Sequence, residues 1–190
     1  MTVTMLEVAL KAGVDKATVS RVLKGDPRIS EKTKLKVMEA VHALGYRLDR
    51  NARNLSTSRS GLVGVVLREL SASWFSAFAA GLDRTFANSD YELMFKCTNG
   101  DPRRAARELG RLSDRRIEGL VWQDADTAPA SFAVPAVTLG FSSVESYSIL
   151  SDAGELVPTF ETGVLAGRVI LNLISGKTVP SRCITVRTGQ

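Results

Sequence analysis

The sequence contains few of the residues from which most catalytic and metal sites are built. Its 190 residues include two cysteines and one histidine, and aromatic residues make up only 6% of the chain. Cys97 and Cys183 have no partner at metal-ligand spacing, so we expect two buried free thiols in strands and no metal. His42 is predicted to be a surface or packing residue.

Motifs of the common enzyme classes and of membrane insertion are missing as well. The sequence has no GxGxxG, no phosphate loop and no nucleophile elbow, and GlyLysThr at 176–178 lacks the upstream glycine of a phosphate loop. We therefore expect no enzymatic activity and no cofactor. No apolar run approaches the roughly 20 residues of a membrane helix. Because the N-terminus also has no signal-peptide pattern, we expect a cytoplasmic protein without membrane contact.

The charge is unevenly distributed, although the whole chain carries only +5. Residues 1–59 contain 12 Lys and Arg against 6 Asp and Glu, a balance of +6, whereas the remaining residues contain 13 against 14, a balance of −1. A cationic segment joined to a nearly neutral one predicts that the first binds an anionic polymer and that the second has a different task.

Residues 3–46 show the pattern of three short helices. Apolar residues recur at helical spacing in three stretches, each preceded by a capping residue and followed by glycine. The predicted caps are Thr4, Asp15 and Ser30, and the predicted stops are Gly13, Gly25 and Gly45. The second helix runs from about Lys16 to Lys24. The predicted inward-facing residues are Met5, Leu6, Val8, Ala9, Ala12, Val19, Val22, Leu23, Leu35, Val37, Met38, Val41 and Leu44.

The second helix has an outer face that suits a nucleic-acid groove. Lys16, Ala17, Ser20 and Arg21 are left pointing away from the apolar residues, and AlaGlyVal at 12–14 places small residues where two helices cross. The alternative is a solvated helical bundle whose basic face has no partner. The turn, the second helix and the following cap occur in one register, which favours a helix-turn-helix that binds DNA.

Several motifs in residues 3–59 together resemble the DNA-binding headpiece of the LacI/GalR family of bacterial transcription regulators. They are AlaGlyVal at 12–14, ThrValSerArgValLeu at 18–23, IleSer at 29–30 with Thr33, LeuGlyTyr at 44–46 and AlaArgAsnLeu at 52–55. The resemblance implies that Lys16, Ala17 and Arg21 read base edges in the major groove. It also implies that a set of short polar side chains contacts phosphates: Thr4, Thr18, Ser20, Ser30 and Thr33.

The segment from Asp49 to Thr57 resembles the hinge helix of that family, which folds in the minor groove when two protomers sit on an operator. Leu55 matches the leucine that the family inserts into the central base step, and Ala52 and Arg53 would face the same groove. An ordinary core leucine is the alternative for Leu55. The predicted division of the chain is a headpiece at 1–48, a hinge at 49–60 and an effector or dimerisation domain at 61–190.

The segment from Leu62 onward changes to strands alternating with helices. Apolar runs at 62–67, 91–97, 119–123 and 135–140 enclose helices predicted at about 74–88 and 102–115, which favours a parallel α/β sheet covered on both faces. This half resembles the first lobe of the family's effector-binding domain, itself similar to periplasmic sugar-binding proteins. A further helix is predicted at about 160–175.

The second half is too short for both lobes of that domain. Two lobes of roughly 100 to 150 residues each do not fit in the residues after the hinge, so the sequence indicates a family member that is shortened internally. The resemblance places a possible small-molecule effector against Arg68, Trp74, Phe75 and Asp124. The alternative for Trp74 and Phe75 is a core or interface role.

The favoured interpretation is a sequence-specific DNA-binding transcription regulator. It is expected to be a repressor that binds a near-palindromic double-stranded operator as a homodimer, with the helix at 74–88 as the interface implied by the resemblance. Two alternatives stay open. One is a sensor that keeps a sugar or nucleobase in the residual cleft, and the other is an interaction protein that modulates full-length relatives through mixed dimers.

Overall fold

A computed structural model of the chain describes residues 3–23, 25–46, 59–143, 145–152 and 154–187. The chain divides into two compact units, Met1–Ser56 and Thr57–Gln190. We call them the N-terminal domain and the sheet domain. Within the described ranges, no helix is both long enough and apolar enough to cross a membrane.

The N-terminal domain contains three helices in the places that the sequence predicts. They are α1 at Met5–Ala12, α2 at Lys16–Leu23 and α3 at Glu31–Leu44. Gly13 and Gly45 adopt left-handed backbone angles, with φ of 67° and 60°, directly after α1 and α3. Glycine reaches these angles without a Cβ penalty, so both helices end where the sequence indicates.

The core of this domain is small and made mostly of short side chains. Its buried residues are Val8, Ala9, Val19, Val22, Val37 and Ala40. The prediction that Leu35 and Met38 face inward is wrong, because they are 63% and 40% exposed. Successive helix residues are rotated by about 100°. The buried stripe of α3 follows Val37, Ala40, Val41 and Leu44, which puts Leu35 and Met38 on the outer side. Leu6 of α1, also predicted inward, is 58% exposed for the same reason.

The sheet domain is built on one parallel sheet of six strands. The strands are β1 at Leu62–Leu67, β2 at Glu92–Cys97, β3 at Gly119–Trp122, β4 at Ala136–Leu139, β5 at Tyr147–Ser151 and β6 at Cys183–Val186. Their order across the sheet is β2-β1-β3-β4-β5-β6, and every neighbouring pair is parallel. The expected parallel α/β architecture is confirmed.

Helices cover both faces of this sheet. Helices α4 at Phe75–Phe86 and α6 at Phe160–Ile174 pack on one face through Phe78, Leu82 and Ile170. Helix α5 at Pro102–Asp114 packs on the other through Ala105 and Leu112, against Trp122. The strands buried between the two layers consist mostly of Val, Leu and Ile, as is usual for parallel sheets.

Two glycines allow α4 and α6 to touch through their backbones. A Cβ placed on Gly81 would overlap the carbonyl oxygen of Phe160, and one on Gly163 would overlap the carbonyl oxygen of Phe78. No side chain fits at either position, because the obstructing atoms belong to the backbone rather than to a flexible side chain. The close approach of the two helices therefore depends on these glycines.

The C-terminal part of the chain completes the sheet. Residues 147–151 form β5, which pairs with β4 on one side and β6 on the other. Described residues 59–187 thus form one lobe. Cys97 and Cys183 lie in β2 and β6 as predicted, but the expectation that they are buried is wrong. Both strands are at the edges of the sheet, where Cys97 is partly exposed and Cys183 is exposed.

Candidate nucleic-acid interface

Helix α2 separates its apolar and polar residues onto opposite sides. Val19 and Val22 are buried in the domain core, at 0% and 8% exposure. Lys16, Ala17 and Arg21, the three predicted base-reading residues, are all exposed. Positions i, i+1, i+4 and i+5 share one side of a helix, so these residues form a continuous outer surface. This surface offers an ammonium, a methyl group and a guanidinium, which are groups that distinguish base edges.

The start of α2 is held by two hydrogen bonds that Thr18 donates to the carboxylate of Asp15. The backbone N–H of Thr18 donates to Asp15 Oδ1 at 2.8 Å, and the Thr18 hydroxyl donates to Asp15 Oδ2 at 2.8 Å. These two hydrogen bonds, the hydroxyl's first, hold the pKa of Asp15 below its ordinary value. Asp15 is therefore charged at neutral pH and fixes the first turn of the helix that carries the reading surface.

The other predicted phosphate-contacting residues also lie at helix starts or on α2. Thr4 caps α1 in a capping box with Glu7, whose pKa is lowered chiefly by the backbone N–H of Thr4. Ser30 caps α3 by accepting from the backbone N–H of Thr33 at 3.3 Å, and the two hydroxyls lie 2.9 Å apart. Thr4 and Ser30 are exposed, whereas Thr18, Ser20 and Thr33 are half-buried. The backbone N–H groups at helix starts are favourable partners for phosphate oxygens.

The turn between α2 and α3 is stabilised by an ion pair that the sequence analysis missed. Arg28 contacts Asp26 with both arms of its guanidinium, Nε to Oδ1 at 3.0 Å and Nη2 to Oδ2 at 2.7 Å. This contact, supported by the backbone N–H of Arg28 and by the charge of Arg21, holds the pKa of Asp26 far below its usual range. An Asp-x-Arg sequence directly after Gly25 was the available signal.

The predicted hinge residues Ala52, Arg53 and Leu55 lie outside the described residues. The structure therefore leaves their roles as predictions.

The sheet domain contains a polar cavity at the carboxyl ends of its strands. Its volume is about 320 Å³, and Arg68 and Asp124, two of the four predicted effector-binding residues, line it. Arg68 Nη1 lies 3.2 Å from Asp124 Oδ1 and 2.6 Å from Asp126 Oδ2. Asp124 is only 1% exposed and also accepts from the hydroxyl of Thr98. The cavity wall is thus a preformed network in which the arginine already has two carboxylate partners.

Trp74 and Phe75 do not line this cavity. Trp74 packs edge-on against Phe78 with ring centroids 6.1 Å apart, and Phe75 packs edge-on against Phe95 at 5.6 Å. Both rings join the apolar layer between α4 and the sheet. The residues of the cavity network that the sequence analysis missed are Thr98 and Asp126. Asp126 follows the end of β3 by four residues, which is a position where parallel sheets present ligand-binding groups.

Three short helices in this arrangement, with an exposed basic face on the second, define a helix-turn-helix domain. Residues 4–49 match the family model described as bacterial regulatory proteins, lacI family. The N-terminal domain therefore belongs to this family.

Similar proteins extend the match beyond this domain. The chain is 31% identical over 121 residues to catabolite control protein A of Streptococcus mutans, which covers 64% of the chain and 36% of that protein. The protein of the same name from Staphylococcus aureus is 32% identical over 122 residues, with 64% and 37% covered. The chain thus spans little more than a third of the length of these curated relatives.

Solved structures show the same architecture. A lac repressor structure with bound ONPG in the repressed state matches with a TM-score of 0.66 and 27% identity, over 80% of this chain and 49% of that one. A lac repressor dimer bound to operator and the anti-inducer ONPF matches with a TM-score of 0.64 and 24% identity, over the same shares. The six-stranded sheet therefore has the fold of the first lobe of the lac repressor core.

Proposed function

We propose that this chain is a sequence-specific DNA-binding transcription regulator that represses by occupying a near-palindromic operator in the cytoplasm. The observation that carries the proposal is the outer surface of α2, where Lys16, Ala17 and Arg21 are exposed while Val19 and Val22 are buried. Family membership, the cationic balance of residues 1–59 and the capped helix starts support the same function.

The operator is proposed to be read in the major groove by Arg21 together with Lys16. An arginine that reaches guanine O6 and N7 in a bidentate contact contributes about 1 to 3 kcal/mol of discrimination against other bases. Ala17 offers only a methyl group, which suits the thymine methyl. This division of roles predicts that cationic residues on α2 carry base preference, whereas cationic residues elsewhere in the domain contribute uniformly to all DNA.

The test is the replacement Arg21→Ala, measured by fluorescence anisotropy on the selected operator and on random DNA of equal length. We expect operator affinity to fall by about 1 to 3 kcal/mol and affinity for random DNA to fall much less. The matched control is Lys36→Ala, which removes one positive charge from the exposed side of α3. Lys36→Ala should lower the affinity for the operator and for random DNA by the same factor. Equal losses on both DNAs for Arg21→Ala contradict the base-reading role.

The homodimer is proposed to form through α4 and the neighbouring edge strand β2. A groove of about 600 Å³ runs between them, lined by Ala79, Ala80, Phe86, Leu93 and Phe95, among others. An edge strand also presents unpaired backbone groups that a second protomer can cover. One short reading helix contacts too few base pairs for a specific site, so two copies are needed. Sedimentation of the purified chain with and without operator tests the proposed homodimer. One protomer per operator would contradict it.

A second candidate function is small-molecule sensing. The polar cavity at Arg68 and Asp124 favours it, because polar groups from the segments that directly follow β1 and β3 converge there. A thermal-shift screen with neutral sugars and with purines tests this function. A rise in melting temperature that is lost in Asp126→Asn supports it, and no shift with any compound at millimolar concentration favours a regulator without effector.

A further inference from the structure

Glu118 connects three segments at the amino end of the sheet. The backbone N–H of Gly61 donates to its Oε1 at 2.9 Å, and the hydroxyl of Tyr91 donates to its Oε2 at 3.1 Å. Arg59 Nε lies 3.5 Å from Oε2. The Glu118 side chain is 16% exposed, so one largely buried carboxylate satisfies three donors from two other parts of the chain.

These donors lie where the chain enters the sheet domain. Residues 59–61 lead directly into β1, a central strand with β2 and β3 on its two sides. The backbone N–H of Glu92 donates to the carbonyl of Gly61 at 2.8 Å, and that of Glu118 donates to the carbonyl of Leu62 at 2.8 Å. Gly61 has φ of 67°, a bend that favours glycine. The entry segment is therefore bent and bonded on both sides, and the Glu118 carboxylate provides its side-chain anchor.

The position of Glu118 requires a carboxylate. A charged acceptor forms stronger hydrogen bonds than a neutral one and can accept several at once. Burial, and then the charge of Glu118, raise the pKa of Tyr91, so that its hydroxyl stays protonated and remains the donor. Glutamine in place of Glu118 would lose the charge and present an NH₂ group to Tyr91 or Arg59, both of which are donors themselves.

We propose that Glu118 is a positioning residue for operator recognition. It fixes the path by which residues 59–61 enter the sheet domain, and so restricts which half-site spacing a dimer accepts. This inference rests on the proposed function. A tether fixed at one end limits the separations that two linked binding units can span, and loosening it broadens that range.

The test compares Glu118→Ala and Tyr91→Phe with the wild-type chain and with a control. Asp114→Asn, at the exposed end of α5, removes a negative charge but no contact with the entry segment. Affinity is measured on a series of operators whose half-site spacing changes by one base pair at a time. Hydrogen exchange of the Gly61 amide is measured in the DNA-free protein.

We expect the wild-type chain and Asp114→Asn to prefer one spacing by about tenfold or more. Glu118→Ala should reduce this preference to about threefold or less, because the entry segment loses its side-chain anchor and the two DNA-binding units can then span a wider range of separations. The Gly61 amide should exchange at least about tenfold faster in Glu118→Ala. The spacing preference of Tyr91→Phe should lie between those of the wild-type chain and Glu118→Ala.

The inference is overturned if Glu118→Ala folds, keeps the wild-type spacing preference and leaves the exchange of Gly61 unchanged. If Glu118→Ala does not fold, Tyr91→Phe decides the question in the same way. If the wild-type chain prefers no operator at all, the proposed function has failed. The exchange of Gly61 then still shows whether Glu118 anchors the entry segment.

Discussion

The side-chain hydrogen bonds within the two domains differ in how far apart their partners lie in the sequence. In the N-terminal domain the polar side chains bond to residues two or three positions away, as in Thr18 with Asp15 and Arg28 with Asp26. In the sheet domain Glu118 bonds to Gly61, 57 residues away, and Arg68 to Asp124, 56 residues away. The comparison teaches that the first domain is shaped by local chemistry and the second by contacts between distant segments.

The surfaces of the two domains differ in the same way. Lys16 and Arg21 of α2 face solvent and are available to a partner, whereas the polar residues around Asp124 bond mainly to one another. A binding surface can therefore be recognised along one helix in the first domain. In the second domain a site exists only where strands that are distant in sequence end side by side.

The largest expected effect concerns the contact between α4 and α6. Gly163→Ala forces a methyl group against the backbone of α4, so the helices must separate. We expect the free energy of unfolding of the sheet domain to fall by about 3 kcal/mol or more. The control is Gly110→Ala in α5, where nothing lies within 4 Å of an added Cβ.

The control substitution should stabilise the same domain by about 0.5 to 1 kcal/mol, because alanine favours a helix over glycine. Urea denaturation followed by tryptophan fluorescence measures both changes, since both tryptophans lie in the sheet domain. Equal effects of the two substitutions would show that the backbone contact does not limit the packing of α4 on α6.

A smaller loss of stability is expected for a substitution in the core of the N-terminal domain. Substitutions on the buried and on the exposed side of α3 should differ in this loss. Val37 is 0% exposed, so Val37→Ala should cost about 2 kcal/mol, from the lost burial of two carbon atoms together with the cavity left behind. Leu35 is 63% exposed, and Leu35→Gln should change stability by less than about 0.5 kcal/mol. Thermal denaturation followed by circular dichroism measures both. A large loss for Leu35→Gln would mean that this leucine is covered in solution.

The smallest expected effect is a loss of stability of the N-terminal domain at acidic pH. The pKa values of Glu7, Asp15 and Asp26 are lowered in the folded state by their hydrogen bonds. Groups with lowered pKa stabilise the fold fully above the unfolded-state pKa values of about 4, and this contribution is lost as the pH falls through the folded-state values.

Stability of this domain should therefore decline below about pH 4, and Asp26→Asn should make the decline shallower. Denaturant midpoints measured from pH 6 to pH 2 provide the test, with Arg28→Ala as a second variant that removes the other half of the ion pair. An unchanged pH profile in both variants contradicts the assigned role of that pair.

Much of the N-terminal domain could be predicted because its signals are local. Thr4, Asp15 and Ser30 mark the helix starts by bonding to residues at most three positions ahead, and such bonds can be recognised in the sequence alone. The error over Leu35 and Met38 has a physical cause as well. Hydrophobicity indicates that a residue can be buried, but only the neighbouring helices decide which side of α3 they cover.

The sequence by itself determined the helix boundaries, the exposed basic face of α2 and the alternation of strands and helices, because each depends on residues within one or two turns of one another. Only the tertiary structure decided that residues 147–151 join the same sheet, that Arg68 is held by Asp126 as well as Asp124, and that Glu118 anchors Gly61. These contacts join segments distant along the chain, and their partners are chosen by strand order and packing, which no local pattern encodes.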